Sequence, residues 1–338
     1  MRTHIYLSNT HNPWFNLATE DWLFQRAPLD QQILFLWRNQ PCVVIGRAQN
    51  PWAECNLAKM VEDDVLLARR QSGGGTVFHD LGNTNFTFIS PLSNYHKDNN
   101  LTLVTQTLNS FGINAYASGR NDICINDNEG QPRKISGSAF RQNSDKAFHH
   151  GTLLLNTNLE QLRNYLHPSK LKLQSKGVAS VRSRVMNLTE INPALSHDVL
   201  CETLINTFFD YYQHMGFIET LDEAQLKTQP SLMARYQEYS DWDWRFGKSL
   251  PFDLQLNQRF AWGEITLQLQ FDQAKITEAA IYSDCLYPDL IETLQNRFIN
   301  AACSGQSLRD IALSLAPLFP QQTLLLQDIA HWLQTQLV

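Results

Sequence analysis

The chain lacks the features that mark membrane, secreted or disulfide-rich proteins. Its 338 residues include only six cysteines, and no two of these have the Cys-x-x-Cys spacing of a zinc ribbon or a thioredoxin-like motif. Scattered single cysteines favour reduced thiols over a disulfide framework. No run approaches the ~18 apolar residues of a membrane span, and the N-terminal residues lack the apolar segment of a signal peptide. We therefore expect a cytoplasmic protein with no membrane partner.

Charge and composition predict a folded protein that does not bind nucleic acid. The net charge of -6 opposes generic phosphate-backbone binding, which needs a basic surface. Hydrophobic residues make up 43% and charged residues 18% of the chain, so packed cores are expected and wholesale disorder is not. The composition changes near residues 242–251, where Gly247 and Pro251 suit a linker. We predict a large domain over residues 1–247 and a small one over residues 248–338.

Hydrophobic patterns predict an α+β fold and not a doubly wound nucleotide fold. A helix should begin at Asn12, a capping residue followed by Pro13. Turn residues at 127–130 separate apolar runs at 123–125 and 135–139, which predicts a hairpin. Few β-α-β units are evident, so mixed or antiparallel sheets flanked by helices are expected. Other strands are predicted at 33–37, 42–45, 84–89 and 148–155, and other helices at 101–111 and 198–215.

The C-terminal part should form a small α/β two-layer domain. Ile265, Leu267, Leu269 and Phe271 alternate as one face of a strand, and residues 279–282 would complete a hairpin. Three helical stretches follow, at 290–299, 308–315 and 324–337.

The segment from Arg69 to His79 (RRQSGGGTVFH) combines two arginines with three consecutive glycines. Glycines let backbone N–H groups approach an anion closely, and arginine donors suit a carboxylate or phosphate. The segment has neither the Gly-Lys-Ser/Thr of a Walker A loop nor the dinucleotide fingerprint. Taken alone, a flexible loop with solvated arginines explains it equally well.

The segment from Arg133 to Ala139 (RKISGSA) places one lysine among very small residues. Strand alternation predicts that Lys134, Ser136 and Ser138 share one face. The small residues leave room for a ligand, and the lysine could neutralise charge on a transferring phosphoryl group. A hairpin lysine that points to water is the ordinary alternative.

Two further segments offer candidate side chains. His149 and His150 are adjacent, so on a strand they face opposite sides and a shared metal site is not expected. We place His150 on the ligand side, although a structural histidine would fit as well. Asp122 offers the oxygen donors that Mg2+ prefers, with a turn aspartate as the alternative.

The stretch from Arg163 to Arg184 is basic. It holds six lysines and arginines, and no acidic residue occurs between Glu160 and Glu190. Such a local positive field suits nucleotide phosphates or an acidic protein surface, and Gly177 suits a mobile loop that closes over a ligand. A solvated basic loop is the alternative.

In this order, the segments resemble the biotin/lipoate protein ligase family, and within it the lipoate–protein ligase A group. The similarity spans about Pro13 to Glu190 and is carried by PWFNLATED, VVIGRAQNPWAECN, ARRQSGGGTVFHDLGNTNFTF, SGRND, RKISGSAFR, FHHGTLLLN and KGVASVRSRVMNLTE. The resemblance implies a catalytic domain like those of biotin protein ligases and class II synthetases. It also implies an enzyme that uses ATP and Mg2+ to convert lipoic acid to lipoyl-AMP. The lipoyl group would then pass to a lysine on lipoyl domains of 2-oxoacid dehydrogenase E2 subunits or on the glycine cleavage H protein.

The resemblance further implies roles for single residues. Lys134 matches the family's essential lysine, which contacts both ATP and lipoate. Asp122 stays the candidate Mg2+ ligand, and the loop at 170–184 matches one that orders over the adenylate. The nucleotide-binding positions match Arg70, Gly75, Thr76, Val77, Phe78 and Lys134. The positions near the lipoyl group match Ser72, His79, Lys134, Ala139 and His150.

Three alternatives remain open. An octanoyl or biotin protein ligase or transferase would share the fold, but neither Cys124 nor Cys201 lies in a recognisable motif for a cysteine acyl intermediate. A metal-dependent hydrolase built on His149 and His150 lacks a ligand cluster at the right spacing. An RNA-binding module using the basic stretch leaves Lys134 and the glycines unexplained.

Overall fold

The computed structural model describes residues 2–119, 121–166, 185–247, 252–272 and 274–337. The chain divides into two units. The first comprises residues 1–44, 52–70 and 77–245, and the second comprises residues 45–51, 71–76 and 246–338. The second unit therefore includes two short segments from the N-terminal half, which the sequence did not indicate. The proposed domain boundary at residue 247 stays a prediction.

Most of the first unit lies in regular elements. Its strands are β1 (Arg2–Ser8), β2 (Gln31–Trp37), β3 (Cys42–Ile45), β4 (Leu66–Arg69), β5 (Val77–His79), β6 (Asn83–Pro91), β7 (Tyr116–Ser118), β8 (Asp122–Asn126), β9 (Pro132–Gln142), β10 (Lys146–Leu154) and β11 (Phe217–Leu221). Its helices are α1 (Pro13–Arg26), α2 (Pro51–Glu54), α3 (Leu57–Glu62), α4 (Lys97–Ser110), α5 (Leu159–Tyr165), α6 (His197–Tyr212), α7 (Gln225–Thr228), α8 (Pro230–Ser240) and α9 (Trp242–Phe246). Within the described ranges, no helix is long and apolar enough to cross a bilayer.

The strands form a large mixed sheet and a small one. The large sheet has eight strands in the order β11-β1-β2-β6-β10-β9-β8-β7, and the small sheet has the order β4-β3-β5. Strand β1 is parallel to β2 and β11, and the other neighbours in the large sheet are antiparallel. The predicted α+β fold with mixed sheets is confirmed.

Helix α1 begins where the sequence predicts. The Asn12 side chain accepts hydrogen bonds from the N–H groups of Trp14 and Phe15 at 3.1 and 3.3 Å, and Pro13 occupies the first turn. These contacts satisfy two donors that a helix start would otherwise leave unpaired.

Helices cover both faces of the large sheet. On one face, α4 and α6 pack against apolar side chains such as Phe86 and Ile135. On the opposite face, here called the α1 face, α1 and α8 pack against residues such as Phe35 and Phe148. Each face thus buries its own apolar core. The polar residues of the α1 face lie next to the core of that face.

The predicted hairpin is confirmed as β8 and β9, but its predicted faces are wrong. Consecutive residues of β8 pair with Lys134 and Ser136, so Ile135 has no partner there and forms a bulge. The bulge shifts the alternation by one residue. A Cβ on Gly137 would lie 2.9 Å from the Lys134 ammonium nitrogen, so these two residues share a face, and Lys134 does not share one with Ser136 and Ser138.

The second unit contains a three-stranded antiparallel sheet with helices packed against it, which confirms the predicted small two-layer fold. Its elements are β12 (Leu254–Phe260), β13 (Gly263–Asp272), β14 (Lys275–Ser283), α10 (Pro288–Phe298), α11 (Gly305–Ser314) and α12 (Thr323–Gln336). Ile265, Leu267 and Leu269 are buried as predicted. Phe271 is 39% exposed, because the register shifts after Gln270 and ends the alternation.

Candidate functional site

The α1 face collects several of the predicted site residues. Ala139 pairs with His150, and His150 pairs with Thr87. Paired residues of antiparallel strands point to the same side of the sheet, so these three share a face. The bulge at Ile135 brings Lys134 to that face as well. Without the bulge, strand alternation would direct Lys134 into the apolar core under α4 and α6.

Lys134 reaches across to Asp122 on the neighbouring strand. The lysine Nζ lies 2.6 Å from Oδ1 of Asp122, and each side chain is 35% exposed. Asp122 pairs with Gly137, and the missing side chain of Gly137 leaves the space that the lysine occupies. The ammonium and the carboxylate are thus both partly exposed, and the ammonium lies directly over the backbone of Gly137. Such a pair can exchange partners when an anion or a cation arrives.

A buried polar cluster lies on the same face, centred on Glu20 of α1. Thr87 donates a hydrogen bond to Glu20 Oε1 at 2.6 Å, and Nδ1 of His150 lies 2.8 Å from the same oxygen. Trp37 donates through its indole N–H to Thr87 at 3.1 Å. The sequence prediction missed Glu20, Thr87 and Trp37. The segment PWFNLATED contained Glu20, but the helical pattern could not show that this carboxylate is buried.

Burial also sets the protonation of His79 and Arg70. The pKa of His79 is lowered to about 3, first by burial and then by the charges of Arg70 and His150. Burial lowers the pKa of Arg70 to about 10, with Glu20 opposing the shift, so this guanidinium is charged at neutral pH. Arg70 also donates to the carbonyl of Val44 at 3.1 Å. The buried guanidinium of Arg70 is therefore a fixed cation that acts on the neutral imidazole of His79.

The tautomer of His79 leaves one donor unused. The amide of Asn39 lies 3.2 Å from His79 Nδ1, and the Asn39 oxygen accepts from Asn16 at 2.9 Å, which fixes the amide orientation. Nδ1 is then an acceptor, so the neutral ring carries its hydrogen on Nε2. Nε2 is buried and has no partner among the described residues. A ligand that offers an acceptor would satisfy it.

The glycine segment is packed within the second unit. Gly74 has a φ of 89°, and its N–H donates to the Cys285 carbonyl at 2.9 Å. A Cβ on Gly73 would lie 2.2 Å from the same carbonyl oxygen. A positive φ therefore already requires Gly74, and close packing requires Gly73. The predicted residues Ser72, Gly75 and Thr76 belong to this unit.

Val77 and Phe78 belong to the first unit, in β5. Val77 packs against the core of the α1 face. The ring of Phe78 is buried against Tyr165, with 5.4 Å between ring centroids. A contact between Phe78 and a nucleotide would therefore fall to its backbone.

The predicted covering loop lies outside the described residues, and only the start of the basic stretch is described. Arg163 lies on α5, but residues 167–184, and with them the loop at 170–184, are not described. The chain is described again at Val185, which bridges to Lys134, and the N–H of Met186 donates to the Lys134 carbonyl at 3.1 Å. The basic stretch therefore leads directly to the strand that carries the lysine.

Comparison with known proteins identifies the family. Residues 12–209 match the lipoyl protein ligase A/B catalytic domain, and residues 249–333 match the bacterial lipoate protein ligase C-terminus. The chain belongs to the lipoate–protein ligase family. It is 47% identical over 338 residues to a lipoate-protein ligase A of Psychrobacter cryohalolentis, with 98% of each chain covered.

Solved structures of similar chains agree with this assignment. LipL1 of P. falciparum, in complex with lipoate, has a TM-score of 0.85 and 32% identity, covering 99% of this chain and 100% of that one. A bi-partite lipoate protein ligase from Thermoplasma acidophilum, analysed with its E2 lipoyl domain, has a TM-score of 0.64 and 26% identity. That similarity covers 75% of this chain and 100% of the archaeal one. The predicted family, fold and ligase class are confirmed. The roles of single residues stay predictions.

Proposed function

We propose that this ligase activates lipoate with ATP and then transfers the lipoyl group to a lysine of an acceptor protein. A free carboxylate is a poor acyl donor, whereas its mixed anhydride with AMP is a good one. The lipoate carboxylate attacks the α-phosphate, and the bond to pyrophosphate breaks. No protein nucleophile is needed, so the enzyme mainly positions two anions and offsets their repulsion.

The observation that carries this proposal is the position of Lys134. Its ammonium stands on the α1 face, and the small residues Gly137 and Ala139 follow it along β9. Beyond them lie His150 and the apolar ring of Phe148, 5.1 Å from the imidazole. A long, apolar acid suits this face, with its carboxylate at Lys134 and its chain directed towards His150.

The other predicted residues have proposed roles that follow from the family resemblance. Lys134 and Arg70 supply positive charge, and the fork of Arg70 suits a phosphate or carboxylate. With them, the proposed nucleotide contacts are Gly75, Thr76, Val77 and Phe78. The proposed contacts of the lipoyl group are Ser72, His79, Lys134, Ala139 and His150.

Asp122 is the proposed protein ligand of a Mg2+ ion that arrives with ATP. Across the described part of the chain, no three His, Cys, Asp or Glu side chains come together as a metal site. Mg2+ commonly takes one or two carboxylates and completes its shell with phosphates and water, so a single Asp122 fits. The ion would supply charge to the phosphates. Asp122 would release Lys134 when it holds the ion, and the free ammonium could then meet the substrate anions.

In the second step an acceptor lysine attacks the activated carbonyl, and AMP leaves. A lysine with a pKa of about 10.4 is only ~0.04% neutral at pH 7. Activation of the acyl group makes the carbonyl more reactive and offsets part of this obstacle. Desolvation of the acceptor lysine at the interface would lower its pKa and offset more. The proposed acceptors are E2 lipoyl domains and the glycine cleavage H protein. The archaeal relative analysed with its E2 lipoyl domain supports the first of these acceptors. A cytoplasmic location stays a prediction.

A cysteine-dependent octanoyl transfer is less well supported by the thiols. Cys124 and Cys201 are both buried, and burial raises the pKa of Cys201 to about 12. A nucleophilic cysteine needs an accessible thiolate. ATP-dependent ligation therefore remains the preferred reaction over a cysteine acyl intermediate.

A pyrophosphate-release assay with ATP and Mg2+ tests the proposal. We expect release with lipoate, weaker release with octanoate and none with biotin. Transfer of an octanoyl group without ATP, or release with biotin alone, would support the alternative enzymes of this fold and overturn the proposal.

A further inference from the structure

Two buried amides on the α1 face have unpaired atoms. Asn83 and Asn85 lie on β6 and are 0% and 1% exposed. Asn83 donates through Nδ2 to Oδ1 of Asn85 at 3.0 Å. This contact leaves Oδ1 of Asn83 and Nδ2 of Asn85 without a hydrogen-bond partner among the described residues.

Unpaired amide atoms are uncommon inside proteins, because a buried polar group without a partner loses its hydrogen bonds to water and gains none. Apolar side chains of similar shape would fill the same positions without this cost. Two adjacent unpaired atoms on one sheet face are therefore best explained by a ligand that completes their hydrogen bonding.

The register places Asn85 in the same cross-strand row as the Lys134 ammonium. Asn85 pairs with Thr152 on β10, and Oγ1 of Thr152 lies 3.2 Å from the backbone nitrogen of Gly137. Gly137 in turn underlies Lys134. Two strand spacings, about 10 Å, separate the backbones of Asn85 and Gly137. The side chains of Asn85 and Lys134 lie on the same face at the two ends of this row, and Thr152 lies between them.

We propose that Asn85 contacts the substrate by donating its amide N–H to an oxyanion held opposite Lys134, with Asn83 fixing the orientation of the amide. The inference rests on the proposed function. An amide donor adds a directed hydrogen bond without a second positive charge, so it positions the anion that Lys134 attracts. The oxyanion belongs either to the carboxylate of the acid or to the α-phosphate of the nucleotide.

Calorimetric titration of Asn85→Leu with lipoate alone and with ATP alone tests the contact. It also shows whether the oxyanion belongs to the carboxylate of the acid or to the phosphate of the nucleotide. A lost hydrogen bond to a charged group should weaken one of the two affinities about 10- to 100-fold. A loss confined to lipoate identifies the carboxylate, and a loss confined to ATP identifies the phosphate. Unchanged affinity for both ligands would overturn the proposal.

Two further variants separate substrate contact from structural support. Asn100→Leu removes a buried amide from α4, on the opposite side of the sheet, and should leave both affinities unchanged. Asn85→Asp keeps the oxygen that accepts from Asn83 and replaces the free donor with a second oxygen. It should weaken anion binding at least as much as Asn85→Leu, and wild-type affinity in this variant would also overturn the proposal.

The Asn85 contact can be wrong while the proposed function is correct, and the two failures can be told apart. If the wild-type protein releases pyrophosphate with lipoate while both Asn85 variants bind as tightly as wild type, only the Asn85 contact is wrong. If the wild-type protein releases none, the proposed function itself is wrong.

Discussion

Gly137→Ala tests whether the empty position at Gly137 determines where Lys134 lies. The added Cβ would lie 2.9 Å from Nζ and 3.1 Å from Cε of Lys134, whereas ordinary contacts are 3.4–4 Å. The ammonium must therefore move by roughly 0.5–1 Å to regain an optimal separation. Its ion pair with Asp122 at 2.6 Å would be disturbed at the same time.

The substitution should separate activity from stability. The atoms that must move form the end of a flexible side chain, and Gly137 does not have a positive φ. Replacing such a glycine by alanine commonly stabilises a protein by about 0.4–1 kcal/mol. A misplacement of about 1 Å at a reacting group can cost about 100-fold in rate. We expect kcat/KM for lipoate-dependent pyrophosphate release to fall about 10- to 100-fold, with an unchanged or higher Tm in scanning calorimetry.

A double-mutant cycle with Lys134→Met shows whether the effect acts through the lysine. It is measured as the calorimetric affinity for lipoate, because variants without Lys134 are expected to lack activity. If Gly137 matters only because it leaves space for Lys134, Gly137→Ala should have little further effect in the Lys134→Met background. A wild-type rate in Gly137→Ala, or an equal loss in both backgrounds, would refute this reasoning.

Two other predictions concern stability. The pKa values of His79 and His149 are lowered to about 3 and that of His197 to about 4, chiefly by burial, so these histidines stay neutral in the folded state. Between those values and pH 6.5 these histidines bind protons in the unfolded chain but not in the folded one. Their contribution to the free energy of unfolding is therefore complete above pH 6.5 and is lost as the pH falls. Near pH 5 the loss is about 1.4 kcal/mol per pH unit for each histidine. His149→Leu should therefore remove one histidine's contribution from this slope, about 1.4 kcal/mol per pH unit near pH 5, in urea unfolding at pH 5 and pH 7. An unaltered slope would contradict the cause given. Asn12→Ala removes the cap of α1 and should lower the free energy of unfolding by about 1 kcal/mol in the same assay, whereas no loss would show that the cap contributes little.

Local sequence signals predicted the parts of the fold that depend on neighbouring residues. Asn12 and Pro13 define a helix start through their own backbone and side-chain chemistry. The turn at 127–130 similarly defines its hairpin, and the alternation from Ile265 to Leu269 defines one face of a strand. In each case the physical cause lies within a few residues of its effect.

Features that depend on distant partners were not predictable. The bulge at Ile135 arises in the pairing of β9 with β8, so simple alternation assigned Lys134 to the wrong face. Strand β1 joins β11 from more than 200 residues away, and neither was predicted. Glu20 looks like an ordinary polar residue until the packing of α1 places it, buried, against His150, and Asn85 does so until the register of β6 buries it opposite Thr152.

The central claim is that the ammonium of Lys134 brings the carboxylate of lipoate and the α-phosphate of ATP together. Pyrophosphate release by purified Lys134→Ala, with ATP, Mg2+ and lipoate, tests it most directly. We expect a folded protein with a wild-type unfolding transition and no detectable lipoyl-adenylate formation. Release at the wild-type rate would contradict the claim, because the two anions would then be joined without the cation that is held to offset their repulsion.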